Sequence, residues 1–254
     1  MTLDIPQKNL VLADLKPANA ALFLDFDGVL VELADGPHEI RVPPDLPDLL
    51  AKLQERVSGA LAIVTGRAID DLASHLPVLT DWVAGCHGGE RVMAGEPAAP
   101  HAQNRSQAVM SLQAEAMTLD FGDPKVELEM KPLGAVVHYR RAPHLEKAVR
   151  EAVDEIADRH EGFECHAAKM AFELRPSTVG KDRVVKEWMA LPPFKGRVPI
   201  YFGDDLTDEP VLDWVQSVGG LAFKVGPGAS VASQRLHGPE AVLDALKTWI
   251  SRCS

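Results

Sequence analysis

Residues 21–30 read Ala-Leu-Phe-Leu-Asp-Phe-Asp-Gly-Val-Leu, and their reading decides the fold. An apolar run leads straight into two carboxylates, Asp25 and Asp27, and then into Gly28. Strand residues two apart point the same way, so the two acids are expected to start on a common side. Gly28 lets the chain turn sharply behind them. Acids at the end of a buried strand are costly without a cation or hydrogen-bond donors. Taken alone, the run reads equally as a strand entering a solvated acidic turn, so the rest of the chain has to decide.

Working outward, apolar strand patterns at 20–25, 60–64, 82–86, 198–203 and 220–225 alternate with helical patterns at 45–57, 68–76, 181–190, 208–217 and 239–251. This alternation predicts an α/β fold, a parallel sheet with helices on both faces. Ligands of such sheets bind at the carboxyl ends of the strands. Asp25, Thr65 and Asp204 each follow a predicted strand and are expected in one crevice. The middle of the chain reads differently. Gly95 to Arg105 is rich in Ala and Pro and reads as a linker. Beyond it come a helix bearing Ala108, Val109, Leu112, Ala116 and Leu119 on one face, strands at 126–130 and 134–140, a helix through Leu145 to Ala157, and strands at 163–167 and 171–175. That order predicts a small antiparallel sheet with its helices on one face. Residues 104–176 are therefore read as an inserted α+β domain, and residues 1–103 and 177–254 as the core.

The formal charge of −11 argues against nucleic acid or an anionic membrane as partner, since both demand a basic surface. An anionic small molecule stays possible where a metal makes the local site positive. Cys86, Cys165 and Cys253 are odd in number and far apart, with no Cys-x-x-Cys, which suits a reducing compartment. The first residues have no apolar secretory core, and no apolar run reaches membrane-spanning length. A cytoplasmic protein is expected, acting as a monomer.

Four features are predicted at the sheet's carboxyl edge. Asp25-Phe-Asp27-Gly28 is the first. Thr65-Gly66-Arg67 is the second, an anion seat if a helix starts there, although Thr65 alone reads as an ordinary helix cap. Lys181 opens a helix after Gly180, and alone reads as a solvated residue. The fourth is Asp204-Asp205-Leu-Thr-Asp208-Glu209, whose acids repel one another. Such a run suits a helix start, but directly after a buried strand a divalent cation explains it better, and hard oxygen ligands suit Mg²⁺.

As an ordered set these motifs resemble those of the haloacid dehalogenase-like phosphohydrolase superfamily. Within it, the chain is similar to the trehalose-6-phosphate phosphatases. The resemblance is carried by Leu24 to Leu30, Val64 to Arg67, Gly85-Cys-His-Gly88 with Glu90, Glu129-Met-Lys131, Val137-His-Tyr-Arg140, Phe172-Glu-Leu-Arg-Pro176 and Phe202 to Glu209. It implies a Rossmann-like core with an inserted cap that reads the sugar, and hydrolysis of a sugar phosphate through an aspartyl-phosphate. In that reading Asp25 is the nucleophile, and Asp27 is the general acid and then the base. Thr65 and Lys181 hold the phosphoryl oxygens. Mg²⁺ is held by Asp25, the Asp27 carbonyl and Asp204, with Asp205 and Asp208 in support. Substrate contacts are implied for Thr65, Gly66, Arg67, His87, Glu90, Lys131, Arg140, Lys169, Glu173 and Arg175. Pro132 and Ala168 depart from the family pattern in the cap. They leave open another sugar phosphate, such as sucrose phosphate or a mannosyl phosphoglycerate, or a related sugar phosphotransferase or mutase.

Overall fold

The opening strand, β1 (Ala20–Leu24), is buried at all five positions. A strand apolar on both faces belongs in the middle of a sheet covered on both sides. The structure, a computed structural model, describes residues 11–33, 40–76, 80–95, 106–168 and 170–252. After β1 come α1 (Leu46–Arg56), β2 (Leu61–Val64), α2 (Ile69–His75), β3 (Trp82–Gly85) and β4 (Glu90–Val92). A second series follows: α3 (Gln107–Ala116), β5 (Glu127–Lys131), β6 (Gly134–His138), α4 (Glu146–Arg159), β7 (Phe163–Ala168) and β8 (Ala171–Pro176). The chain then returns to α5 (Lys181–Trp188), β9 (Val198–Gly203), α6 (Glu209–Ser217), β10 (Leu221–Val225), β11 (Gln234–Leu236) and α7 (Pro239–Ser251).

Among the described residues the first sheet runs β11-β10-β9-β1-β2-β3-β4. Every neighbouring pair is parallel except β3 with β4. Leu24 pairs with both Ile63 and Phe202, so β2, β1 and β9 end side by side. Asp25, Thr65 and Asp204 are the next residues on those three strands, as expected. One large apolar cluster surrounds this sheet, with Phe23, Trp82, Trp188 and Phe194 stacked or edge-on at its centre. Each such buried side chain is worth about 1.5–3 kcal/mol. The sequence reading contains neither β4 nor β11. Both are three residues long, sit at a sheet edge, and carry polar residues (Glu-Arg-Val and Gln-Arg-Leu), so neither shows an apolar run.

The second sheet is antiparallel, in the order β5-β6-β8-β7. Helices α3 and α4 pack on one face of it, through Leu112, Ala116, Val149, Val153 and Ile156 against Ala135, Val137, Phe172 and Leu174. By contact the chain divides into two compact units. One comprises Met1–Pro97, Lys181–Asp204 and Asp208–Ser254; the other comprises Ala98–Gly180 and Asp205–Thr207. The second unit thus runs past the 104–176 insertion read from the sequence. The expected linker lies outside the described residues apart from Gly95, as do Cys253 and Lys169. No helix among the described residues is long and apolar enough to cross a membrane.

Candidate active site

β1 stops at Leu24, and the amide of Asp25 still follows the ladder, donating to the Phe202 carbonyl at 3.1 Å. The chain then folds into a tight turn. The Leu30 amide donates to the Phe26 carbonyl and the Gly28 amide to the Val31 carbonyl, both at 2.8 Å. Gly28 has φ +72°, the left-handed region where a side chain is strained. Val29, Leu30 and Val31 are buried, which locks the turn against the core.

Across this turn the two acids have different partners. The Asp25 carboxylate is buried, accepting from the Phe26 amide at 2.7 Å on Oδ1 and from Lys181 Nζ at 2.6 Å on Oδ2. Asp27 is half-buried and held by Arg67, with Nε to Oδ2 at 2.6 Å and Nη2 to Oδ1 at 2.9 Å. Arg67 also reaches Asp71 Oδ2 at 2.6 Å. Its guanidinium, expected on the substrate, is therefore committed to two carboxylates, and bidentate pairing of this kind fixes both partners.

Lys181 opens α5, where the helix macrodipole favours an anion over a cation. It is nonetheless buried, because it bridges Asp25 and Asp208, the latter at 2.7 Å. Burial works against its charge, but Asp208 and Asp25 outweigh it and its pKa stands above the ordinary lysine value. Burial raises the Asp25 carboxyl well above the usual carboxylate range; Lys181 pulls it down, and Asp208 and Asp204 push it up again. Asp208 is wholly buried and uses both oxygens. Its Oδ1 accepts from Lys181 and from the Tyr201 hydroxyl at 2.6 Å, and its Oδ2 accepts from the Asp204 amide at 3.0 Å. Burial first, then Asp208 and Asp25, keeps Tyr201 protonated and donating.

Asp25, Asp204 and Asp208 each place one carboxylate oxygen within 4.8 Å of the others. Among these four side chains, three carboxylates face one ammonium, which leaves two negative charges to balance. Hard oxygens in that number fit Mg²⁺, which takes a few carboxylates and completes its shell with water and phosphate oxygens. Asp205, expected among the supporting ligands, is not in this group. Its Oδ1 instead accepts from the Leu206 amide at 2.7 Å.

Thr65 is fully buried, and its hydroxyl accepts from the Arg67 amide at 3.2 Å. Helix α2 begins at Ile69, one residue after the expected start, and the Ile69 amide is given to Glu90 Oε2 at 2.8 Å. Glu90, expected at the sugar, is buried as a cap on α2, because its short edge strand points it at that helix end. His87 does reach the loop. It and Cys86 have φ of +57° and +47°, and their amides donate to the Thr65 and Arg67 carbonyls at 2.9 and 2.7 Å. The His87 ring covers Gly66 so closely that a Cβ there would lie 2.7 Å from it.

In the second unit the strands alternate, with Met130, Val137, Phe172 and Leu174 in or against the apolar cluster. The opposite face carries Glu129, Lys131, His138, Glu173 and Arg175. Glu129 pairs with Lys131 at 2.8 Å and with His138 at 2.9 Å, and Glu173 with Arg175 at 3.3 Å. Arg140 does not join them: β6 ends at His138, and Arg140 is exposed in the turn that follows. The sequence reading named neither Tyr201 nor Lys224. Tyr201 reads as one more core aromatic, whereas a lysine inside the apolar run Leu221 to Val225 is a visible signal.

The family model for trehalose-phosphatase matches residues 23–236. A probable trehalose-phosphate phosphatase of Sinorhizobium fredii is 35% identical over 217 residues, which are 82% of this chain and 78% of that protein. The trehalose-6-phosphate phosphatase of Escherichia coli K12 is 32% identical over 222 residues, 87% of this chain and 83% of its own. A crystal structure of a trehalose-6-phosphate phosphatase related protein superposes with a TM-score of 0.72 at 25% identity, covering 91% of this chain and 96% of that one. Together with the acids and lysine at the carboxyl edge of a haloacid dehalogenase-like sheet, these likenesses identify the chain as a member of the trehalose-phosphatase family of phosphoric monoester hydrolases.

Proposed function

We propose that the chain hydrolyses trehalose 6-phosphate to trehalose and phosphate, with Mg²⁺, through an aspartyl-phosphate on Asp25. The buried Asp25–Lys181–Asp208 triad is the observation that carries this reading. A nucleophilic carboxylate approaching an anionic phosphate needs positive charge already in place, and preorganised charge costs no reorganisation at the moment of reaction. Lys181 supplies it and is locked by two ion pairs.

Asp25, Asp204, Asp208 and the Asp27 carbonyl would hold Mg²⁺, which when bound neutralises charge developing on the phosphoryl group. In the first half-reaction a carboxylate oxygen of Asp25 bonds to phosphorus and the bond to the sugar oxygen breaks. That oxygen takes a proton from Asp27. In the second, water attacks phosphorus, Asp27 takes the water's proton, and the bond to Asp25 breaks, restoring the enzyme and releasing phosphate. Thr65 and Lys181 hold the phosphoryl oxygens. Arg67 holds Asp27, and the sugar is read by Lys131, Glu173 and Arg175, with Glu129 and His138 on the same sheet face. The reading also carries a cytoplasmic monomer, checked by a sedimentation mass of one chain.

Phosphate release is measured with and without Mg²⁺ on trehalose 6-phosphate, sucrose phosphate, mannosyl phosphoglycerate and simple hexose phosphates. Trehalose 6-phosphate is expected to be the best substrate, and Asp25→Asn to abolish release while leaving the circular dichroism unchanged. No release from trehalose 6-phosphate would refute the substrate. Full activity in Asp25→Asn would refute the nucleophile.

A further inference from the structure

Lys224 is a lysine where the fold asks for an apolar residue. β10 is buried at every position, and Lys224 is 4% exposed. An ammonium taken out of water costs several kcal/mol unless it is well paired, and an aliphatic side chain fills such a strand without that cost. The position therefore calls for a reason beyond packing, and the geometry supplies one. β10 pairs with β9 so that Lys224 stands opposite Gly203, the residue before Asp204. From there its Nζ donates to the backbone carbonyl of Asp204, and to that of Val225 at 3.2 Å.

Asp204 is thus held on both sides of its own backbone. Its amide donates to Asp208 Oδ2 at 3.0 Å, and its carbonyl accepts from Lys224. Its carboxylate lies in the space that a side chain at Gly28 would take, since a Cβ there would stand 2.2 Å from Oδ2. Of the three acids that can share a cation, Asp25 and Asp208 pair with Lys181, and Asp204 is gripped through its backbone by Asp208 and Lys224.

We propose that Lys224 is a positioning residue of the cation site, holding Asp204 so rigidly that the site prefers Mg²⁺ to Ca²⁺. The proposal deepens the Mg²⁺ reading above and rests on it. Mg²⁺ demands near-ideal octahedral geometry at about 2.0–2.1 Å, whereas Ca²⁺ accepts variable geometry at about 2.3–2.6 Å. A fixed carboxylate favours the first ion, and a loose one lets in the second. Two simpler roles for Lys224 predict something else. Were it only a nearby positive charge, its removal would tighten both ions. Were it only a structural filler, its removal would change stability and leave the ratio of affinities alone.

Calorimetric titration of the full chain with MgCl₂ and with CaCl₂ separates these, using wild type, Lys224→Met and Lys224→Gln. Lys224→Met is expected to bind Mg²⁺ about 10-fold more weakly, the usual loss when an outer-shell partner of a metal ligand is removed. Its Ca²⁺ affinity is expected to stay within about 2-fold, since Ca²⁺ tolerates the loosened geometry. Lys224→Gln keeps a donor on a shorter arm and is expected to fall between. Circular dichroism in EDTA checks the fold; where Lys224→Met does not fold, the ratio is read from Lys224→Gln. An unchanged ratio in a folded variant, or tighter binding of both ions, overturns the proposal while leaving the Mg²⁺ reading intact. A wild type that binds neither ion, as expected only of the reference variant Asp204→Asn, overturns both.

Discussion

Gly28→Ala probes the turn between the two leading acids. The added methyl would stand 2.2 Å from Asp204 Oδ2, 2.4 Å from its Cγ and 3.0 Å from its Cβ, where ordinary contact begins at 3.4 Å. The Asp204 carboxylate must therefore retreat by about 1.2 Å, or the turn must open by as much. A metal site tolerates about 0.2 Å in its ligand distances, so Asp204 leaves the cluster. Misplacement of about 1 Å near the chemistry costs about 10²-fold in rate. The left-handed backbone at φ +72° adds about 1–2 kcal/mol of strain for an alanine. Gly196→Ala is the control: its φ is +81° and nothing lies within 4 Å of the added carbon, so it carries the strain without the clash. Both variants are titrated with Mg²⁺ calorimetrically and assayed for phosphate release from a sugar phosphate. Gly28→Ala is expected to lose about 10²-fold in kcat/KM with weakened Mg²⁺ binding, and Gly196→Ala to keep both. The reasoning fails if Gly28→Ala binds Mg²⁺ and turns over like wild type, or if the two variants lose activity equally.

Asp208→Asn puts an amide NH₂ against either the Lys181 ammonium or the Asp204 amide, two donors facing each other in a fully buried site. Breaking a buried pair from one side costs about 3 kcal/mol or more, and at about 2–4 °C per kcal/mol the melting midpoint in EDTA should fall by about 10 °C; an unchanged midpoint would show that the triad holds nothing together. Glu90→Ala should cost about 1 kcal/mol as a lost helix cap and leave KM for the sugar phosphate unaltered, so a large rise in KM would restore the substrate contact that its sequence context suggested. If Asp27 acts as the proposed proton donor, Arg67→Ala should slow release from a sugar phosphate, whose leaving oxygen needs a proton, more than from an aryl phosphate, whose leaving group does not; equal losses would count against the Asp27 role. Burial raises the Glu129 pKa, but the His138 hydrogen bond and Lys131 outweigh it and bring it to about 2, below the ordinary 4.5. A depressed folded pKa contributes stability above pH 4.5 that is lost as pH falls towards 2. The melting midpoint of Glu129→Gln should therefore fall less steeply than that of wild type across that window, and parallel curves would disprove it.

Much of the core was legible because its signals are local. An apolar run that ends in Asp25 is a strand whose end needs a partner, and Gly28 marks the turn; both statements need only neighbours in sequence. The same holds for the α/β alternation, and α7 matches its expected 239–251 span residue for residue. Elements with weaker local signals were lost: β4 and β11 are edge strands that bury too little to show a pattern. In the second unit the register placed Lys131, Glu173 and Arg175 on one face, as alternation requires, whereas Arg140 fell beyond the strand end and outside that face.

The partners of charges were decided elsewhere. Lys181 is 156 residues from Asp25 and Arg67 is 40 from Asp27, and no local rule says which acid a lysine or arginine will meet. Arg67 and Glu90 look alike in sequence, as polar residues just past strands, yet one clamps Asp27 and the other caps a helix. Lys224 is simply an odd residue in an apolar run until strand pairing sets it opposite Gly203 and delivers its ammonium to the Asp204 carbonyl. The sequence by itself determined the alternating fold, the four motifs and the order in which they reach the sheet edge, because backbone period and strand-end chemistry are properties of consecutive residues. Which carboxylate is buried with a lysine, which is clamped by an arginine and which three come together in one cluster was decided only by the tertiary structure, because the energy of a charge depends on what the folded chain brings within a few ångströms of it.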